Sequence, residues 1–332
     1  HSTTCIYKEN SGVPRAERPP RSIAGREVDT LVRSTYPDCV EHVSRILVTV
    51  LPVFAIMGVG FVYGRFKQLP AKGLTDLLFW VLLPCLVLGS LGAQRIEPME
   101  LVLIGAAALV IMTGTGLVAF LLFLRRPERR ALLLPCIFMN SANMAFPLAL
   151  FAFGEAGLTR QVVFYVAVHI LHVTFGVGIA RGKGGVREVF RLPLVYVAAV
   201  AVALSLSGVR IPAEVANPLN LVGKATIPIM LLLLGSRLGA ARWHHLGLSL
   251  ASAVVRIGGG FGFGLLAVWL LQLEGLARAA VLIGAVMPAA VFNFVLGERY
   301  QLHPELLASA VVISTLISIG TTPLFLHFIG VG

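Results

Sequence analysis

Two stretches combine amide side chains with proline inside otherwise apolar sequence. One is LLLPCIFMNSANMAFPLALFAFG (Leu132–Gly154), with Asn140, Ser141, Asn143 and Pro147 in its middle. The other is VLIGAVMPAAVFNFVLGERY (Val281–Tyr300), with Pro288 and Asn293. An interior proline deletes one backbone hydrogen bond and clashes with the carbonyl four residues earlier. In hydrocarbon the freed carbonyls need partners, so such backbone survives only inside protein or beside a water-filled cavity. Amides at the same depth can supply those partners, and they can equally bind a solute. Arg256, in SAVVRIGGGFGFG, lies about ten residues into its apolar stretch, too deep for its side chain to snorkel out easily. It suits either an anionic solute or the carbonyls of a broken helix, and the sequence leaves both open. The candidate solute-binding set is therefore Asn140, Ser141, Asn143, Pro147, Pro288, Asn293 and Arg256.

Other chemistry-bearing residues give weaker signals. His169 and His172, in VAVHILHVTFG, share a helix face at i, i+3. Such a pair can form half a metal site or a proton relay, yet no Glu or Cys beside it completes a ligand set, and a structural role is the reading preferred. Gly258–Gly264 lacks the strand and basic residue of a phosphate loop and suits close helix packing instead. No Asp or Glu falls at the centre of an apolar span; Asp76 and Glu298 sit at span ends. That leaves proton coupling without an obvious carboxylate. Lys224, near a span end, is expected to snorkel. No catalytic set, metal set or cofactor motif emerges.

These residues are set in a membrane protein. Of 332 residues, 57% are hydrophobic and 13% charged, with mean hydropathy +0.87. A soluble domain needs more charge to cover its surface. Apolar runs long enough for about 30 Å of hydrocarbon recur from residue 46 onward. The spans read 46–64, 73–92, 101–124, 131–153, 161–180, 193–208, 219–236, 246–272, 278–297 and 305–329. The net charge of +11 argues little for nucleic acid, because Lys and Arg sit in short loops between spans. Cys5, Cys39, Cys85 and Cys136 form no CxxC or Cys/His cluster, so neither a disulfide framework nor a zinc site is expected. Residues 1–43 are polar and Pro-rich, lack the apolar core of a signal peptide, and read as a disordered or appended tail.

Loop charge tests the ten-span count. The loops at 65–72, 125–130, 181–191, 237–245 and 298–303 hold fourteen Lys and Arg, and the alternate set holds four, Arg95, Arg160, Arg210 and Arg278. That asymmetry puts the first set in the cytoplasm and both termini on the non-cytoplasmic side, with the plasma (inner) membrane as the expected location. Ten spans divide as five and five, and an odd unit repeated must be inverted. LLPCLVLGSLGA (Leu82–Ala93) and IPIMLLLLGSRLGA (Ile227–Ala240) each carry a proline, then a leucine run, then an LGS…LGA ending. The expected domains are a first repeat at 44–180, a cytoplasmic linker at 181–191 and a second repeat at 192–332. The interrupted fourth and ninth spans then occupy equivalent positions, a pointer to a midplane binding site in secondary transporters.

The strings FMNSANMAFPLALFAFGEAG (Phe138–Gly157) and MPAAVFNFVLGERYQLHPELLASAVVISTLISIGTTPLFL (Met287–Leu326) resemble the auxin efflux carrier family, which includes plant auxin exporters and bacterial permeases for small carboxylates. The resemblance runs from about Val43 to near the C-terminus. It implies an all-α fold of two inverted five-helix repeats whose fourth and ninth helices break at prolines and cross near the substrate. The implied activity is secondary transport, by alternating access, of a small organic anion such as a carboxylate. The implied partners are that substrate, the lipid bilayer and a second copy of the chain, with a coupling ion, proton or sodium, left open. Relatedness to bile-acid sodium symporters is implied as a neighbouring reading. Two readings of other classes also stay open: an intramembrane enzyme built on His169 and His172, and a passive channel.

Overall fold

The computed structural model describes residues 37–67, 71–182, 187, 190–209, 211–240 and 245–329, and the account below concerns the unit His42–Gly332. The described residues are helical throughout, apart from connections and a single antiparallel bridge between Met139 and Ala289. In chain order the helices are α1 (Pro37–Phe66), α2 (Ala71–Leu77, continued by a π turn Leu78–Leu82 and by Leu83–Ala93), α3 (Pro98–Leu122) and α4 (Arg129–Ile137). Next comes α5 (Ala145–Leu171, continued by a π turn His172–Gly176 and by Val177–Arg181), then α6 (Pro193–Ser207), α7 (Ala213–Lys224) and α8 (Thr226–Ala240). The rest are α9 (Leu246–Val254, a π turn Val255–Gly259, then Gly260–Leu270), α10 (Gly275–Ala285), α11 (Val291–Tyr300) and α12 (Pro304–Ile329).

Seven of these runs are long and apolar enough to cross a membrane, and α6 and α10 are shorter apolar helices. Large apolar side chains such as Leu47, Trp80, Leu121 and Trp269 stand exposed on their outer faces. In water such surfaces would aggregate; against lipid chains they cost nothing. Proline opens α1, α3, α6 and α12, where its missing N–H falls among the unpaired donors of the first turn. The run Ala145–Arg181 has 37 residues, about 55 Å if straight, well beyond one hydrocarbon thickness. It is not straight. Gly154 adopts φ 65°, ψ −161° inside it, a conformation that only glycine takes without strain. The sequence led to a loop over 154–160; the chain turns at one residue instead and resumes as helix.

Packing sorts the helices into two groups. In the first, α2 lies against α6 and α7. There α1 meets α8 through Gly60, Gly64, Gly235 and Gly239, where a Cβ would collide with the facing backbone at Leu232, Ser236, Met57 and Phe61 respectively. Small residues four apart on both helices allow that approach. In the second group α10 lies against α5, α9 against α12 and α3, and α3 against α4. Gly260 and Gly264 of the glycine-rich segment expected to pack closely both face Ala285 of α10, and Gly259 faces Thr115 of α3.

Candidate functional site

The site begins where two helices stop. α4 ends at Ile137 and α10 at Ala285; the chain then leaves the helix, running extended at 138–140 and through a turn at 141–144 in the first break, and through a turn at Val286 and extended backbone at 287–290 in the second, before α5 and α11 begin. The two extended segments pair with one another. Asn140 N donates to the Pro288 carbonyl at 2.7 Å, and Ala290 N donates to the Phe138 carbonyl at 2.9 Å. Ala289 N donates to Ser314 Oγ of α12 at 3.1 Å, and Asn293 Nδ2 to the Phe138 carbonyl at 3.2 Å. Backbone that would be intolerable against lipid is thus satisfied by its equivalent in the other break.

Arg256 completes the accounting. Its side chain is wholly buried. Nη1 donates to the carbonyls of Cys136 and Ile137, both at 2.8 Å, and Nη2 to the Ala285 carbonyl at 3.1 Å. One guanidinium therefore caps the C-terminal ends of both α4 and α10, where unpaired carbonyls and the helix dipoles concentrate negative charge. Of the two roles the sequence left open for Arg256, these contacts fill the one on backbone carbonyls. The prolines sit differently from a mid-helix kink. Pro288 lies inside the second break and offers its carbonyl to Asn140, while Pro147 is in the first turn of α5, beyond the first break.

On the other face of the crossing is a cavity of about 80 Å³, taken as the space open to the centre of a water-sized sphere. At about 10–15 Å³ per water on that measure, it has room for several waters or a small polar head group. The second group of helices contributes Met139, Asn140, Ser141, Ala142 and Asn143 from the first break, Tyr165, Val168, His169 and His172 from α5, and Ala290, Val291, Phe292 and Val295 from the second break and α11. The first group contributes Thr75, Leu78 and Phe79 from α2 and Met230, Leu233, Leu234 and Arg237 from α8. The cavity therefore lies between the two groups. None of its lining residues is acidic.

Of the predicted residues, Asn140, Ser141 and Asn143 line this cavity, while Pro147, Pro288, Asn293 and Arg256 do not. Asn140 Oδ1 accepts from Asn143 N at 3.2 Å, a local side-chain-to-backbone bond that closes the turn ahead of α5, and Gln161 Nε2 donates to the Ser141 carbonyl. Asn140 Nδ2, Tyr165 Oη and His169 Nε2 are buried and have no hydrogen-bond partner among the described residues. The histidines belong to an aromatic wall. His172 stacks on Phe138 with centroids 4.0 Å apart, His169 stacks on Phe79 at 5.8 Å, and Phe292 contacts both imidazoles. No group of three or more His, Cys, Asp or Glu is placed to hold a metal ion among the described residues.

Sequence reasoning missed Tyr165, Phe79, Phe292 and Arg237. The first three look like ordinary apolar-span aromatics, and Arg237 had been counted with the loop at 237–245. It lies on α8 and is half-buried. Lys224, expected to snorkel alone, meets Glu155 Oε1 at 2.8 Å, with both side chains more than half exposed.

Comparison with known proteins agrees with this architecture. The sequence profile of the family described as "Membrane transport protein" matches residues 45–189 and again 182–326. The chain belongs to this family, that of the auxin efflux carriers. It is 24% identical over 303 residues to an uncharacterized transporter of Methanocaldococcus jannaschii, covering 81% of this chain and 94% of that protein. A second relative, an uncharacterized transporter of Methanothermobacter thermautotrophicus, is 26% identical over 296 residues, covering 83% and 96%. The protein is an integral membrane transporter.

Proposed function

We propose that this transporter is a secondary carrier that moves a small organic anion, of the carboxylate class, by alternating access. The observation that carries the reading is the cavity at the crossing of the two breaks, where buried Asn140 Nδ2, Tyr165 Oη and His169 Nε2 have no partner within the described protein. Unsatisfied polar groups at membrane depth are costly unless a solute or water completes them. α5 and α11 begin at this cavity, so the partial positive charges of two helix N-termini gather there, and with no acidic lining residue the site favours an anion.

The same features support two inverted five-helix halves at 44–180 and 192–332. α4 with the segment of α5 before Gly154 makes one crossing, α10 with α11 the equivalent one, and α7 with α8 another, which brings the total to ten. The duplicate profile match, 45–189 and 182–326, divides the chain at nearly the same place. With both termini outside the plasma membrane, as loop charge suggests, Thr75, Arg237 and Val295 mark the cytoplasmic end of the cavity. Sliding of the crossing group against the group containing α1, α2 and α6–α8 would expose the cavity to either side.

Counterflow in proteoliposomes tests this. With a panel of radiolabelled mono- and dicarboxylates, run with and without sodium and a pH gradient, the expected result is saturable, substrate-dependent exchange that falls at least about tenfold in Asn143→Ala. Unsaturable flux without exchange would indicate a channel. No exchange across the panel would end the carrier reading.

A further inference from the structure

Arg237 occupies an unusual position for a residue flanked by a loop. It lies three residues before the end of α8, half-buried, and lines the cavity that reaches inward to the Asn140–Asn143 turn. Among the described residues its Nη2 makes one long bond, 3.4 Å, to Thr75 Oγ1, and its buried Nε has no hydrogen-bond partner. A buried guanidinium carries five donors in a planar fork suited to a carboxylate or phosphate. A buried donor left without a partner, on a residue that lines a cavity with no acidic lining, is costly unless an anion or water visits. Arg256 Nε is likewise without a partner among the described residues, but its Nη1 and Nη2 are spent on three backbone carbonyls and it does not line the cavity. Arg237 is therefore the cation that lines the cavity. It also belongs to the opposite helix group from Asn140 and Asn143.

We infer that Arg237 is an anion-reading residue of the transport site, receiving the substrate's charged group on the α2/α8 wall while the amides of the crossing hold the rest of it. This rests on the carrier reading above. Glu298, on α11 of the opposite group, acts on Arg237 only through its charge, with no hydrogen bond or ion pair between them among the described residues. Removing that negative charge would leave the guanidinium more attractive to an anion.

The test is direct binding to purified, nanodisc-embedded protein of two pairs of probes: benzoate against benzamide, and propionate against propionamide. The wild type is expected to prefer at least one anion over its amide. Arg237→Gln should erase about tenfold or more of that preference, Arg237→Lys should restore part of it, and Glu298→Gln should strengthen anion binding. No anion preference in the wild type overturns the inference. So does a result in which Arg237→Gln and Glu298→Gln shift binding in the same direction, since a merely structural role for the two charges behaves that way. Loss of anion binding in Asn143→Ala but not in Arg237→Gln removes Arg237 and leaves the carrier reading standing; loss in neither removes both.

Discussion

Behind the helix crossing, the carbonyls of Cys136, Ile137 and Ala285 end on one guanidinium, and the Ala289 amide ends on Ser314. On the cavity side, Asn140 Nδ2, the Tyr165 hydroxyl and His169 Nε2 end on no described protein atom. Both sets of atoms are buried, so burial alone cannot account for the contrast. The face behind the crossing is saturated except at Arg256 Nε and Asn293 Oδ1, and it resists rearrangement, because movement would strand the groups it pairs in a low-dielectric interior. An unsaturated face carries a standing penalty that a solute can relieve. The first face holds the breaks together; the second is where a ligand has something to gain.

The largest expected effect comes from breaking the saturated face. Arg256→Met removes three charge-assisted hydrogen bonds and leaves the α4 and α10 carbonyl ends unpaired. At about 1.5–3 kcal/mol for each such bond, less the cost of burying the guanidinium itself, the loss should be on the order of 3–5 kcal/mol. Thermal unfolding in detergent, followed by size-exclusion, should show a lower midpoint or no folded protein, and Arg256→Lys should recover part of it. A variant that stays at the wild-type midpoint but loses transport would instead put Arg256 on the functional face.

Ser314→Ala is a smaller cut on the same face. The hydroxyl accepts from Ala289 N and donates to the Val311 carbonyl, so its removal strands one amide of the second break at a cost of about 1 kcal/mol. Transport should stay within about twofold of wild type. A large transport defect with unchanged stability would erase the distinction between the faces.

The contrast also explains what could be read from sequence. Asn140, Ser141, Asn143, Pro288 and Asn293 were legible because amides and prolines are costly in apolar spans, and their company marked both breaks. The division of labour among them was not. Asn143 and Asn293 have the same composition signal, yet one lines the cavity and the other donates to Phe138 behind it; only the crossing geometry decides that. Arg256 was visible as a deep charge but not as a cap on two helices 120 and 29 residues away. Arg237 was hidden by adjacency to a basic loop, and Tyr165 by its resemblance to a membrane-span aromatic. Gly154 looked like the start of a loop because sequence registers a glycine but not the sharpness of its turn.

The smallest effect should have the opposite sign, and it is the sharpest test of the comparison. The Tyr165 ring packs edge-on against Phe146 at 5.2 Å and lies 5.3 Å from His169, contacts that Phe would keep. Its hydroxyl contributes no bond within the described protein. Tyr165→Phe therefore removes a buried unsatisfied group without opening a hole, and stability should rise by about 0.5–1 kcal/mol. If the hydroxyl serves the solute, transport should fall in the same variant, the trade expected where function maintains a destabilised site. Paired melting and counterflow measurements read both quantities. A destabilised Tyr165→Phe would mean that the hydroxyl is bonded after all, and the cavity face would then be as saturated as the face behind it.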